Sequence, residues 1–292
     1  GPFVVEEYLP EDRITMRANE TYCVDGLPRL ERLEILFFSD LTASADALRG
    51  GQVDLDIGLS TPLYESLQGV SGVRTIEVDT NSFAVVRLRT DRQPGNDPRV
   101  VEALRLATDR EAIFQLVQQG YGAVGRDSPV GPIYDAYYTE DPPLPERDPQ
   151  RARELLADAG YPDGLQMDLH LPNTLNFSDL AVVIKEQWAE AGIDVTVVAQ
   201  PESVYYGEGG WLEVDLGITG WGHRPYPQFY FDVMLTCNAI WNETHYCDDE
   251  LDRLIAVAGS TMNEEERVEA YAEMQRILIE RGPLIVPYLV AQ

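Results

Sequence analysis

The sequence predicts an α/β fold, and three observations carry that prediction. From residue 81 onward, short apolar or alternating runs are separated by stretches with apolar residues at three- and four-residue spacing, the pattern of strands alternating with helices. Helix starts are marked by Asp97-Pro98 and Asp148-Pro149, where an aspartate can cap the first turn and proline fits its opening position. Before residue 81 the chain is richer in strand signals than in helix signals.

In order, Phe3 to Tyr8 and Arg13 to Arg17 are strand-like and are parted by the turn cluster Pro10-Glu11-Asp12. Arg32 to Phe38 predicts a third strand, and Ala43 to Arg49 a helix stopped by Gly50-Gly51. Val53 to Ile57 alternates with Asp54 and Asp56 and predicts a half-buried strand. A short helix near Pro62 to Gln68 and a strand over Val73 to Val78 follow. Asn81 to Leu88 is the next strand. The helix after Asp97 carries Val100, Ala103, Leu104 and Ala107 on one face. Asp109 restarts a helix that stops at Gly120. Residues 121–147, rich in Gly, Pro and Tyr, predict a long loop. The helix after Asp148 carries Ala152, Leu155, Leu156 and Ala159 and ends before Gly160. Strands over Met167 to Leu171 and Ile193 to Val198 flank a helix with Leu180, Val183, Ile184, Trp188 and Ala191 on one face. Leu212 to Thr219 predicts a strand, Asp249–Val257 and Asn263–Glu280 two acidic helices, and Pro283 to Leu289 a last apolar strand.

Composition narrows the function. The 292 residues are 44% hydrophobic, enough for a substantial core. The charge is −28, from 22 basic and 50 acidic residues, and such a surface repels nucleic-acid phosphates and anionic lipid headgroups. Lys185 is the sole lysine; codon bias in a high-GC genome and adaptation to salt both produce that pattern. No apolar run approaches the roughly 20 residues that span a bilayer. Cys237 and Cys247 flank a polar loop, while Cys23 lies far away. A disulfide between the first two would close a short loop, contribute about 2–3 kcal/mol and indicate an oxidising compartment. The alternative is two reduced thiols, because nearness in sequence does not fix Cβ geometry.

Several motifs, in order, carry a family resemblance. Gly1-Pro2-Phe3 precedes Asp12-Arg13-Ile14, Arg17-Ala18-Asn19 and Tyr22. Ala47-Leu48-Arg49-Gly50-Gly51-Gln52-Val53-Asp54 follows. Asp97-Pro98-Arg99-Val100-Val101-Glu102-Ala103-Leu104 with Ala107-Thr108-Asp109-Arg110 is the most specific. Leu156-Ala157-Asp158-Ala159-Gly160-Tyr161-Pro162-Asp163-Gly164 comes next, then Gly220-Trp221-Gly222 with Asn242, Asp248 and Asp252. Together these resemble the extracytoplasmic solute-binding proteins of oligopeptide, dipeptide, opine and nickel ABC importers.

The resemblance implies a periplasmic-binding-protein-like (type II) two-lobed fold, present here as one complete α/β lobe plus part of the other. Residues 1–82 would belong to a discontinuous first lobe, 83–282 would form the second, and 283–292 would return to the first. Family members continue beyond both ends of this stretch, so the chain is expected to be a piece of a longer one. The implied function is capture of a small-molecule or peptide ligand in an interlobe cleft, by a monomer that docks on membrane permease subunits. The implied location is extracytoplasmic, periplasmic or lipid-anchored at the cell surface. Neither catalysis, a cofactor nor a nucleic-acid partner is implied.

The loop from Trp221 to Gln228 is the candidate ligand site, with Trp221, His223, Arg224 and Tyr226 as its contact residues and Trp211 nearby. Peptide-binding members resembling this chain carry an aspartate three residues after the tryptophan, for the ligand's amine. Arg224 stands there instead, and a guanidinium favours a carboxylate or phosphate; equally, it can point to solvent or to one of the 50 carboxylates. Trp211, Tyr205 and Tyr206 can stack on ligand or pack in the core, and Tyr134, Tyr137 and Tyr138 can line a cleft or cover a lobe. His223 has no partner at metal-ligand spacing. No Gly-x-Ser-x-Gly elbow or phosphate loop is present, and the three histidines are scattered, which leaves a hydrolase as a minor alternative. A ligand-sensing domain of a regulator is the other.

Overall fold

A computed structural model describes residues 1–57, 59–174 and 176–292. The chain divides into two compact units, Gly1–Ile76 and Glu77–Gln292.

The first unit contains an antiparallel meander of β1 (Phe3–Leu9), β2 (Arg13–Ala18) and β3 (Arg32–Leu36), in that order. Helix α1 (Leu41–Arg49) starts where the Asp40 carboxylate accepts the Ala43 N–H at 2.8 Å. Helix α2 (Thr61–Leu67) has Pro62 in its first turn. The strands expected over 53–57 and 73–78 do not form. Alternation specifies a face only where a neighbouring strand supplies the ladder, and Leu55 is 77% exposed.

The second unit is built on a seven-stranded mixed sheet, in the order β5-β10-β4-β8-β6-β7, with β9 also paired to β4. Its strands are β4 (Ser82–Leu88), β5 (Ala123–Val124), β6 (Leu165–Pro172), β7 (Ile193–Gln200), β8 (Leu216–Trp221), β9 (Leu284–Ile285) and β10 (Tyr288–Val290). β6 runs parallel to β7 and β8, and the other pairings are antiparallel. On one face lie α3 (Pro98–Ala107), α4 (Arg110–Ile113), α5 (Pro149–Asp158) and α6 (Phe177–Ala189). After β7 comes the short α7 (Glu202–Tyr205). On the opposite face lie α8 (Gln228–Tyr230), α9 (Asp249–Ser260) and α10 (Glu264–Arg281). Alternation along β4 divides the two cores: Ala84, Val86 and Leu88 enter the first, Phe83 and Val85 the second.

The Asp-Pro signals hold. Asp97 accepts the Arg99 N–H at 3.0 Å and Asp148 the Arg151 N–H at 2.8 Å, each at the start of its helix. The helix after Asp109 is shorter than expected: α4 passes into a π-helical turn over Phe114–Gln118.

Residues 283–292, expected to return to the first lobe, pair here with strands of the second unit's sheet. Leu289 pairs with Phe83, Tyr288 with Val124 and Ile285 with Val86, all within the second unit. The two compact units meet at 76/77. The last strand is also split, because Pro287 has no N–H to give to a ladder. The Val286 N–H is taken instead by Asp127 Oδ1 at 3.0 Å, and the Pro287 carbonyl accepts the Gly125 N–H. A side chain at 125 would overlap the Val286 carbonyl, so only glycine fits beside this split.

Candidate ligand-binding loop

The loop is anchored by a buried polar cluster beneath it. Arg87 on β4 and Glu243 form an ion pair at 3.0 Å with both side chains fully buried. The same carboxylate accepts from Thr219 Oγ1 at 2.6 Å and from the Trp221 indole N–H at 3.0 Å, both on β8. Arg87 also donates to the carbonyls of Val214, at 2.7 Å, and Trp211. Tyr205 lies against Thr219 at 3.2 Å, and burial raises its phenol pKa. Four separate segments therefore converge on one carboxylate and one guanidinium, and the end of β8 is held in place before the loop departs.

Trp221 consequently sits in the core rather than in the loop. It is the last residue of β8, 7% exposed, and packs edge-on against Tyr230 and Trp241. The expected strand over 212–219 begins later, at Leu216, because 211–214 is a turn whose carbonyls serve Arg87. Trp211 is half-buried against Tyr206, and Tyr206 against Tyr205, so this trio packs as a structural cluster; burial pushes the Tyr206 phenol up to about 12.

The loop proper is fixed by His223. Its N–H donates to Ser82 Oγ at 3.0 Å, and its Nδ1 accepts the Asn81 N–H at 3.1 Å. That bond leaves Nε2 as the protonated nitrogen of the neutral ring. Asn81 is itself buried, bonded through its side chain to the Pro129 carbonyl and the Gly131 N–H. The His223 ring stacks on Tyr134 at 6.2 Å, and the Tyr134 hydroxyl donates to the Arg224 carbonyl. Burial and the neighbouring Tyr230 hydroxyl raise the Tyr134 phenol pKa. The Tyr134 side of the aromatic cluster thus supports the loop from below.

Arg224 follows. Its guanidinium lies over the Phe229 ring at 4.7 Å, and Nη1 donates to its own loop's carbonyls, His223 at 3.0 Å and Gly222 at 3.4 Å. Among the described residues no carboxylate lies within ion-pairing distance of it, although the chain holds 50. Tyr226, between Pro225 and Pro227, is 70% exposed. The structure brings His223, Arg224 and Tyr226 together on one stiff turn and sets Trp221 beneath it; it places Trp211 with the core cluster.

Sequence reasoning missed Glu243, Phe229 and Trp241. No local pattern separates Glu243 from 49 other acids. The spacing Trp221 to Phe229 was available as a signal only once a turn and helix α8 were known to fold 229 back under 224.

Cys237 and Cys247 form a disulfide, with Cα atoms 4.3 Å apart. Asp249 lies close by, but both sulfurs are spent in the bond and offer no thiolate to a metal. Cys23 is free and exposed. Among the described residues no helix is long and apolar enough to cross a membrane.

The pattern of the bacterial extracellular solute-binding proteins, family 5 middle region, matches residues 1–242. Heme-binding protein A of Haemophilus influenzae is 29% identical over 293 residues, covering 98% of this chain and 53% of the relative. Di/tripeptide-binding protein 3 of Pseudomonas aeruginosa is 25% identical over 294 residues, covering 97% of this chain and 54% of the relative. The chain thus spans about half the length of the curated relatives it matches. Among solved structures, the ABC transporter-associated periplasmic binding protein DppA from Helicobacter pylori, in complex with the peptide STSA, superposes with a TM-score of 0.86 at 23% identity, over 100% of this chain and 57% of that one. The fold is that of the type II periplasmic binding proteins, and the chain belongs to the family 5 bacterial extracellular solute-binding proteins.

Proposed function

We propose that this chain belongs to the substrate-binding component of an ABC importer and helps capture a small solute bearing a carboxylate or phosphate. The observation that carries this reading is Arg224: a guanidinium on a rigid turn, free of any described carboxylate, at the position where peptide-binding members have an aspartate. A guanidinium without a carboxylate partner, held on a rigid turn, is suited to receive a carboxylate or phosphate from outside. Family membership supports the binder over the hydrolase and regulator alternatives. The disulfide supports an extracytoplasmic location, and the partners that follow are the ligand and membrane permease subunits.

The test is a thermal-shift and calorimetric screen of peptides, opines, sugar acids, simple carboxylates and phosphates. A true ligand raises the midpoint with concentration by mass action and is recovered unchanged. Anionic solutes should score, and Arg224→Ala should weaken them by at least tenfold, the scale of one lost charge-assisted hydrogen bond of about 1.5–3 kcal/mol. Preferential binding of cationic or neutral solutes, unaltered in Arg224→Ala, would sink the proposal.

A further inference from the structure

The disulfide-closed loop beside Arg224 carries a second feature that the ion-binding reading does not use. Trp241 lies within this loop, which Cys237–Cys247 closes. Its backbone N–H is fixed to the Val233 carbonyl at 2.9 Å, so the residue is held in place. Trp241 is 37% exposed, and Ile240 beside it is 73% exposed. The Trp241 ring is 6.2 Å from Phe229 and 6.0 Å from Trp221, edge-on to both. Phe229 is the ring over which the Arg224 guanidinium sits at 4.7 Å. Guanidinium, Phe229 and Trp241 thus form one continuous row, charged at one end and aromatic along the rest.

Nothing within the described chain covers Ile240 or the open part of Trp241, so the ledge is accessible to a ligand. Meanwhile Nε and Nη2 of Arg224 have no partner among the described residues and reach solvent. A rigid hydrogen-bonding fork beside an aromatic ledge complements a ligand with both characters.

We infer that Trp241 and Phe229 are specificity residues and that the solute is a small organic anion carrying its carboxylate or phosphate on a flat, apolar body. This rests on the capture of an anion by Arg224 proposed above. The acid group engages Arg224, and the apolar body lies along Phe229 and Trp241, next to Ile240. The disulfide keeps Trp241 in reach without the ordering cost of a free loop.

The experiment is calorimetric titration of the 292-residue chain with three probes: phenylacetate, acetate and 2-phenylethanol. Phenylacetate should bind at least tenfold more tightly than either of the others. Trp241→Ala should weaken phenylacetate roughly five- to tenfold and leave acetate unchanged. Trp241→Phe should restore most of the loss, which separates stacking from general damage to the loop. Equal affinity for acetate and phenylacetate, or a Trp241→Ala variant with wild-type affinity, overturns the aromatic ledge while the anion reading stands. Tight 2-phenylethanol binding that Arg224→Ala does not touch removes the anion reading and this inference with it. Absence of phenylacetate binding also overturns the inference; the broader solute screen then judges capture by itself.

Discussion

The two units differ less in secondary structure than in what they bury. The first has a three-stranded sheet and two helices, yet its buried apolar residues, among those described, are Ala45, Ala47 and Leu67. The second encloses a core on each face of its sheet, with Trp188, Tyr205, Tyr230, Tyr271 and Phe231 all essentially inaccessible. A buried large side chain contributes about 1.5–3 kcal/mol, and a buried alanine much less. A legible strand pattern is therefore no measure of stability: the meander forms by pairing, while the second unit is held by packing.

The largest expected effect is in hydrogen exchange. Amides of β1 to β3 should exchange through low-energy local openings, and those of β4 and β8 only through openings close to global unfolding, roughly a thousandfold slower or more. Comparable protection in both sheets, measured by mass spectrometry of peptic fragments, would break the contrast.

Next comes Glu243→Gln. It leaves Arg87 charged, buried and without its counter-ion, and should cost about 3–5 kcal/mol in urea unfolding. The effect should be confined to the second unit, so exchange in β1 to β3 should not change. A loss below about 1 kcal/mol would mean that the cluster is not the keystone its geometry makes it.

Removing the disulfide as Cys237→Ser/Cys247→Ser should lower stability by about 2–3 kcal/mol, through the freed unfolded chain. A variant as stable as wild type would show that the loop is held by its own contacts, chief among them Asn242 to the Thr236 and Tyr246 carbonyls.

The smallest effect concerns acid. Burial works against the charge of Asp248, but Arg281 at 2.8 Å, the Leu251 N–H and the Tyr246 hydroxyl outweigh it and hold the carboxyl down to about 2. A depressed carboxyl contributes its stability above its unfolded value near 4 and loses it as pH falls through the folded value. Asp248→Asn keeps a cap on α9 while removing the charge, so at pH 7 it should cost less than about 1 kcal/mol. The difference from wild type should fade between pH 4 and pH 2. A constant difference across that range would assign the loss to the cap alone.

Much of the second unit was legible because its signals are local. Asp97-Pro98 and Asp148-Pro149 start helices by chemistry that acts within three residues, and the apolar faces of α3, α5 and α6 follow directly. What failed depended on partners far away. Val53 to Ile57 alternates but finds no neighbouring strand among the described residues, and the pairing of the last strand with β4 and β5 is chosen by register, not composition. The candidate loop divided in the same way. His223, Arg224 and Tyr226 were visible as a proline-stiffened turn after a strand. Trp221 was named for its ring, yet its indole N–H belongs to a glutamate 22 residues on, a relation no spacing rule conveys. The cysteine pair was named from proximity, and backbone geometry supplied the remaining condition.

The second unit is stitched together at residues 78 and 292. The Val78 N–H donates to the Gln292 carbonyl, and the Gln292 N–H returns the bond at 2.9 Å. Within the second unit, residues 78 and 292 therefore lie side by side. A segment cut at 77 and 292, whose two ends touch, can be spliced into a surface turn of an unrelated host without stretching either, and can be permuted by a short linker joining 292 to 77 with new ends opened at the exposed Pro145-Glu146. The segment 77–292 is in that sense a portable cassette.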